Sequence, residues 1–249
     1  MLSNTQIKFF KSLHKKKYRA HYGKILLEGH RLISQAVKFD ASIDKIWITD
    51  EYKTSEQFKQ ISKEISDSVF NLVSKKSINQ VAESKNNQGI IALTTLPNYN
   101  TIVEIPDKSI YLDEISDPGN MGSLLRTACW FGIQNIFLSP DCVDIFNSKV
   151  IRSAMGAHFY FNGINIISFE KLNFDDLLII GGDIGGKNLK ELLIPKKKKW
   201  ILILGSEAHG ISSSIKPFIN HRVSIKGYCG MESLNVVSAG SILLNHLIN

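Results

Sequence analysis

The feature that most constrains this chain is an alternation that starts near residue 109 and runs to the C-terminus. Short apolar runs, "SIYLDEI", "NIFLS", "INIISF", "LLIIGGD", "WILILGS" and "RVSI", are separated by helical or glycine-punctuated stretches. These include a helix over 121–131, another near "KVIRSAMGAHF", and a C-terminal helix from Ser233 onward. Near-continuous apolar strands of this kind are buried on both faces, so the pattern predicts a largely parallel sheet with helices on both sides. In open sheets of that class ligands bind beyond the carboxyl ends of the strands. The residues to weigh are therefore those that follow a strand.

Three strand-end segments stand out. In "DPGNMGSLLRTACWFG", residues 117–132, a Pro-Gly turn precedes Asn120, a natural helix N-cap, and Arg126 is a single cation among small and apolar residues. Taken alone, a capping Asn120 and an Arg126 that snorkels to water explain the pattern. In "WILILGSEAHGIS" the strand ends at Gly205 and Glu207 sits at the tip of the following loop, a general-acid candidate or an ordinary exposed carboxylate. The glycines match neither a phosphate-binding Walker loop nor a dinucleotide fingerprint, which makes a nicotinamide oxidoreductase a poor reading. In "RVSIKGYCGMESLNVVSAGSILLNHL" a glycine-rich loop leads through Ser233, Leu234 and Asn235 into a helix for which Ser233 is the expected N-cap.

Upstream, "LPNYNTIVEIPDKS", residues 96–109, reads as a linker, and residues 1–100 as a separate small α/β domain. Its signals are a helical stripe of Leu32, Ile33, Ala36 and Val37 and the strands "KIWIT" and "GIIALTT". Charge is split along the same line. Residues 1–100 hold 16 Lys and Arg against 9 Asp and Glu, whereas residues 101–249 hold 14 of each. Such an excess favours a polyanion, because each neutralised phosphate releases counterions. The segment "HKKKYRAHYGK" interleaves cations with Tyr18, His21 and Tyr22, suited to phosphates and bases together, although a solvated terminal helix has the same composition. Three scattered cysteines argue against a disulfide framework and against a zinc site. No apolar run has the length of a signal peptide core or a membrane span, so a cytoplasmic protein is expected.

Taken together, DPGN…R, LGSE…G and SLN, in that order, resemble the three signature motifs of the SpoU-type ribose 2′-O-methyltransferases of RNA, within the SPOUT superfamily. "LLEGHRLISQAV", "QGIIAL" and "IRSAMGAHF" are similar to that family as well. The resemblance implies an α/β fold: a C-terminal parallel-sheet domain with a deep trefoil knot over residues 107–249, preceded by a small L30-like α/β substrate-recognition domain over residues 1–100. It implies S-adenosylmethionine as cofactor, held mostly by the backbone at Gly205, Ile225 and Leu234, with no metal. It carries the family's catalytic positions onto Asn120, Arg126, Glu207, Ser233 and Asn235. The implied partners are RNA, ribosomal or transfer, and a second copy of the chain.

Arginine stays protonated in proteins, so Arg126 is read as a fork on the RNA phosphate beside the target ribose rather than as a base. One departure from the family pattern is Ile225-Lys226-Gly227 where relatives carry Ile-Pro-Met, which predicts a looser loop. A catalytically silent RNA-binding relative is the alternative. The division of labour predicts that removing residues 1–100 leaves cofactor binding intact and abolishes methylation of structured RNA.

Overall fold

The computed structural model describes residues 1–84, 86–99, 105–193, 195, 198–230 and 232–249. The linker read over 96–109 falls partly outside them. The chain forms two compact units, one of Met1–Asn98 with Asp144–Phe159, the other of Tyr99–Val143 with Tyr160–Asn249.

The first unit runs α1 (Asn4–Ser12), α2 (Lys16–Tyr22), β1 (Lys24–Glu28), α3 (His30–Lys38), β2 (Ile43–Ile48), α4 (Asp50–Lys53), α5 (Glu56–Ile61), β3 (Phe70–Leu72), α6 (Lys75–Val81) and β4 (Ile90–Thr95). Its strands order β1-β4-β2-β3, with β4 antiparallel to both neighbours. Alternation sorts the sheet into two apolar faces. Ile25, Leu27, Ile46, Ile48, Ile90 and Ala92 meet Leu32, Ile33 and Ala36 of α3, while Trp47 and Ile91 meet Phe10 of α1 and Ile78 of α6. Three residues of the stripe read from α3 thus lie on its buried face, and Val37 is half-buried beside them. Serines and threonines set the helix starts: Ser3 forms a capping box with Gln6, and Thr49, Ser55 and Ser74 cap α4, α5 and α6.

The helix expected near "KVIRSAMGAHF" forms, as α8 (Ser148–Ala154), but its segment belongs to the first unit and not to the sheet that precedes and follows it. Burial explains this. Ile151 joins the α3 core, and at Gly156, held at φ +88°, a Cβ would lie 3.1 to 3.2 Å from Gln35 and the Ala36 backbone. Ser148 donates to Glu83, and the buried Arg19 guanidinium donates to the carbonyls of Leu13 and His14 at 2.9 and 2.8 Å and to Asp144.

The second unit contains β5 (Lys108–Leu112), α7 (Pro118–Trp130), β6 (Asn135–Leu138), β7 (Gly163–Ile166), β8 (Leu177–Asn188), β9 (Lys199–Leu204), β10 (His221–Ser224) and α9 (Val236–Ile248). Its six strands order β10-β8-β9-β5-β6-β7 and all pair in parallel. Helices do not cover both faces as the alternation predicted. Helices α7 and α9 pack together over Leu204, where a Cβ at Gly240 would stand 2.8 Å from Leu204 and 3.1 Å from Leu124. Tyr111, Phe137, Ile201 and Ile203, on the opposite face, are covered by Phe169, Phe174, Phe218 and Ile215 from turns and loops. The connections after β7 and β8 hold single 3-10 turns, too short to lay an α-helix across the sheet.

Candidate active site

Asp117, rather than Asn120, caps α7: its Oδ1 accepts the Asn120 N–H at 2.8 Å, and Pro118 takes the first helical position. The Asn120 side chain is thereby free for another role. Likewise Asn235, and not Ser233, caps α9, its Oδ1 accepting from Val237 N–H at 2.9 Å. A cap binds through its oxygen, so the Asn235 amide nitrogen remains available.

Both amides converge on one carboxylate. Asn120 Nδ2 donates to Glu207 Oε1 at 2.5 Å and Asn235 Nδ2 donates to the same oxygen at 2.9 Å, while Asn235 Nδ2 also reaches Asn120 Oδ1 at 3.2 Å. Three segments that follow different strands are thus tied into a single cluster. Glu207 Oε2 has no partner among the described residues, so the carboxylate keeps an oriented acceptor facing solvent. Its loop is pinned at both ends. Ser206 and Gly210 exchange backbone hydrogen bonds at 3.1 and 2.8 Å, and buried Asp113 accepts from Ser212 N–H at 2.7 Å. A Cβ at Gly205 would fall 2.2 Å from the Gly210 backbone, so only glycine allows this closure.

Beside the cluster lies a cavity of about 470 Å³ lined by Glu114, Asp117, Asn120, Asp141, Glu207 and His209 among others, with no Lys or Arg among its described residues. Glu114 holds φ +54° there, its N–H bonded to Ser139 Oγ at 2.8 Å. Four carboxylates repel a phosphate, so this cavity suits a neutral hydroxyl or a cationic centre.

The other predicted residues stand apart from the cluster. Arg126 lies six residues beyond Asn120 on α7, about 9 Å along the axis and on another face. It is exposed and has no hydrogen bond or ion pair among the described residues. Ser233 is exposed and outside the cluster. Gly205 ends β9 and Ile225 follows β10. Strands β9 and β10 flank β8, so the two positions follow strands that are not neighbours. Leu234 precedes α9 with its apolar side chain half exposed. In the departing loop, Lys226 Nζ lies 5.4 Å from the centroid of the exposed Tyr228 ring, a cation–π contact. Sequence reasoning missed Asp113, Glu114 and Asp117. An Asp directly before Pro-Gly is a helix-start signal that points to Asp117.

Fold and site together define a two-part α/β protein: a parallel sheet with an oriented carboxylate beyond its strand ends, and a basic α/β unit. The model of the SpoU rRNA methylase family matches residues 107–245 and that of the MRM3-like substrate binding domain matches residues 4–92. The chain belongs to the SpoU rRNA methylase family. Among curated proteins it is 28% identical to the 23S rRNA (guanosine(2553)-2′-O)-methyltransferase RlmP of Bacillus subtilis, over 98% of this chain and 96% of that protein. Among solved structures it is similar to a TrmH-family RNA methyltransferase structure from Porphyromonas gingivalis, at 29% identity and a TM-score of 0.81, covering 99% and 98% of the two chains. The S-adenosylmethionine complex of the SpoU methyltransferase AviRb from Streptomyces viridochromogenes, 20% identical, shares the fold at a TM-score of 0.81, with 99% and 97% covered.

Proposed function

We propose that this chain transfers a methyl group from S-adenosylmethionine to a ribose 2′-hydroxyl of RNA, with ribosomal RNA as the first substrate to test. The observation that carries the reading is the Glu207 carboxylate, held by Asn120 and Asn235 with one oxygen free. The full-length likeness to a 23S rRNA 2′-O-methyltransferase supports the choice of RNA.

The residues present fit the cofactor. Leu234 offers an apolar surface, and a Cβ at Gly227 or Gly230 would meet nothing within 4 Å, so the backbone of the loop that follows Ile225 is uncrowded. S-adenosylmethionine, when bound, supplies a methyl on a sulfonium, a leaving group that needs no further activation. The protein is left to orient the ribose and accept the hydroxyl proton. Glu207 Oε2 takes a hydrogen bond from the 2′-hydroxyl and receives its proton as the oxygen becomes an ether. Asn120 and Asn235 fix the rotamer that does so, and Ser233 lines the approach. Exposed Arg126 forks onto the adjacent phosphate, which the acidic cavity cannot hold.

A second copy of the chain covers α7 and α9 in this reading. Trp130, 85% exposed one turn beyond Arg126, and Ile242 on the neighbouring helix are the apolar groups that support it. The strand order, in which β10 returns beyond β8, and the tight closure at Gly205 accord with a knotted C-terminus. Among the described residues no helix is long and apolar enough to cross a membrane, and the cytoplasm is the compartment we assign. The first unit selects the RNA.

The test is methyl transfer from labelled S-adenosylmethionine to ribosomal RNA taken from cells lacking this protein, with the product mapped for 2′-O-methyl ribose. A new 2′-O-methyl position supports the reading. Cofactor binding without transfer to ribosomal or transfer RNA replaces it with the silent RNA-binding alternative.

A further inference from the structure

Glu28 is the first acidic residue of the chain, so residues 1–27 carry six Lys and one Arg with nothing to offset them. Two of these cations are used internally: Arg19 pairs with Asp144, and Lys24 pairs with Asp44 at 2.6 Å. Lys8, Lys11, Lys15, Lys16 and Lys17 are exposed and have no ion pair among the described residues. Amid them, Tyr18 and Tyr22 stand one helical turn apart on α2 with ring centroids 6.4 Å apart and planes 16° from parallel. They are 37% and 45% exposed.

The pair is held rather than loose. Phe9 packs edge-on against Tyr22 at 5.0 Å and itself rests on buried Phe10. An adjoining face of α2 is anchored by buried Arg19, and Gly23 closes the helix at φ +63°. Single exposed aromatics are ordinary. Two near-parallel rings, pre-set by packing and surrounded by unneutralised lysines, have the components of a single-strand binding surface: cations for the backbone and π-faces for bases. A paired duplex hides its base faces inside the stack, so such rings gain nothing from it.

We infer that α2 is a stacking platform for unpaired bases of the substrate RNA, with Tyr18 and Tyr22 as the stacking residues and Lys15, Lys16 and Lys17 on the adjoining phosphates. The inference rests on the RNA reading above and adds the structural feature the RNA must present, an unpaired segment. It makes Tyr18 and Tyr22 specificity residues of the first unit.

The experiment uses the full chain and two probes of equal phosphate count: an RNA hairpin whose long loop carries 2-aminopurine, and a fully paired RNA duplex. The wild type is expected to bind the hairpin at least about tenfold more tightly and to quench 2-aminopurine, since base–aromatic stacking contributes about 1–3 kcal/mol per base. Joint Tyr18→Ala and Tyr22→Ala substitution removes the preference and the quench. Joint Tyr18→Phe and Tyr22→Phe substitution keeps the rings and retains both effects, which separates stacking from a general loss of structure. Replacing the three lysines with Gln weakens both probes alike and lowers the salt slope by about 2–3. Equal affinity of the wild type for the two probes, or a preference that survives the alanines, overturns the platform and leaves the RNA reading standing. A wild type that binds neither probe and methylates no RNA overturns both.

Discussion

Arg19, in the middle of α2, donates through its guanidinium to the carboxylate of Asp144, 125 positions further along the chain. Arg19 is 5% exposed and also donates to two carbonyls at the turn between α1 and α2, so it is a buried charge with three hydrogen bonds. Replacing Arg19 with Met takes the cation from Asp144, which keeps its bond from the Phe146 N–H, and takes the donor from two carbonyls. A loss of about 3 kcal/mol is expected, read as a lower urea midpoint, while Asp144→Asn, whose amide oxygen still accepts, costs less.

The same contact revises the truncation expected from the sequence. Removing residues 1–100 also removes the core against which Ile151, Phe146, Met155 and Phe159 pack. The shortened chain is expected to bind a hydrophobic dye and to be cut by protease within 144–159, sites protected in the full chain. A protected, dye-silent fragment would show that this segment holds its shape without α3.

Glu207→Gln keeps an oxygen for the Asn120 and Asn235 amides and removes the charge that receives a proton. Turnover under saturating RNA should fall about 10²–10⁴-fold with cofactor affinity unchanged by calorimetry. Asn235→Ala differs in kind. It removes a cap as well as an amide, so it lowers stability by about 1 kcal/mol alongside the loss of rate.

Trp130→Glu places a charge on the exposed face of α7. Sedimentation is expected to show the wild type as a dimer and the variant as a monomer. Arg126→Lys, one turn away, should leave the dimer and cofactor binding intact and collapse single-turnover methylation, because an ammonium cannot fork onto phosphate as a guanidinium does. Near-normal methylation by the lysine variant would remove Arg126 from the mechanism.

His158 is fully buried, its Nε2 2.7 Å from the Ile145 carbonyl, and burial lowers its pKa from 6.5 to about 4. At neutral pH the ring is uncharged in both folded and unfolded chains. As pH falls through 6.5 the unfolded chain takes up a proton that the folded one refuses until about 4, so stability declines across that window by up to about 3 kcal/mol. The urea midpoint should drop between pH 7 and 4.5, and His158→Gln should flatten that limb. His30, also lowered by burial and by Arg31, contributes in the same direction.

The sequence by itself determined the units of this fold and the places where chemistry gathers. Hydrophobic alternation is local, so all six strands of the parallel sheet were legible, and so were the residues that follow β5, β9 and β10. Only the tertiary structure decided which groups meet. A helix pattern such as that of α8 states that a face must be buried and is silent on which core buries it, and α8 went to the first unit because Ala36 and Ile33 offered the matching surface. Asn120 looked like a cap because Asn caps helices. It joins Glu207 instead because Asp117 already holds that N–H, and Arg126 stays out because six helical residues turn it to another face. Those outcomes depend on distances across the sheet, and short-range periodicity contains no information about distances between strand ends.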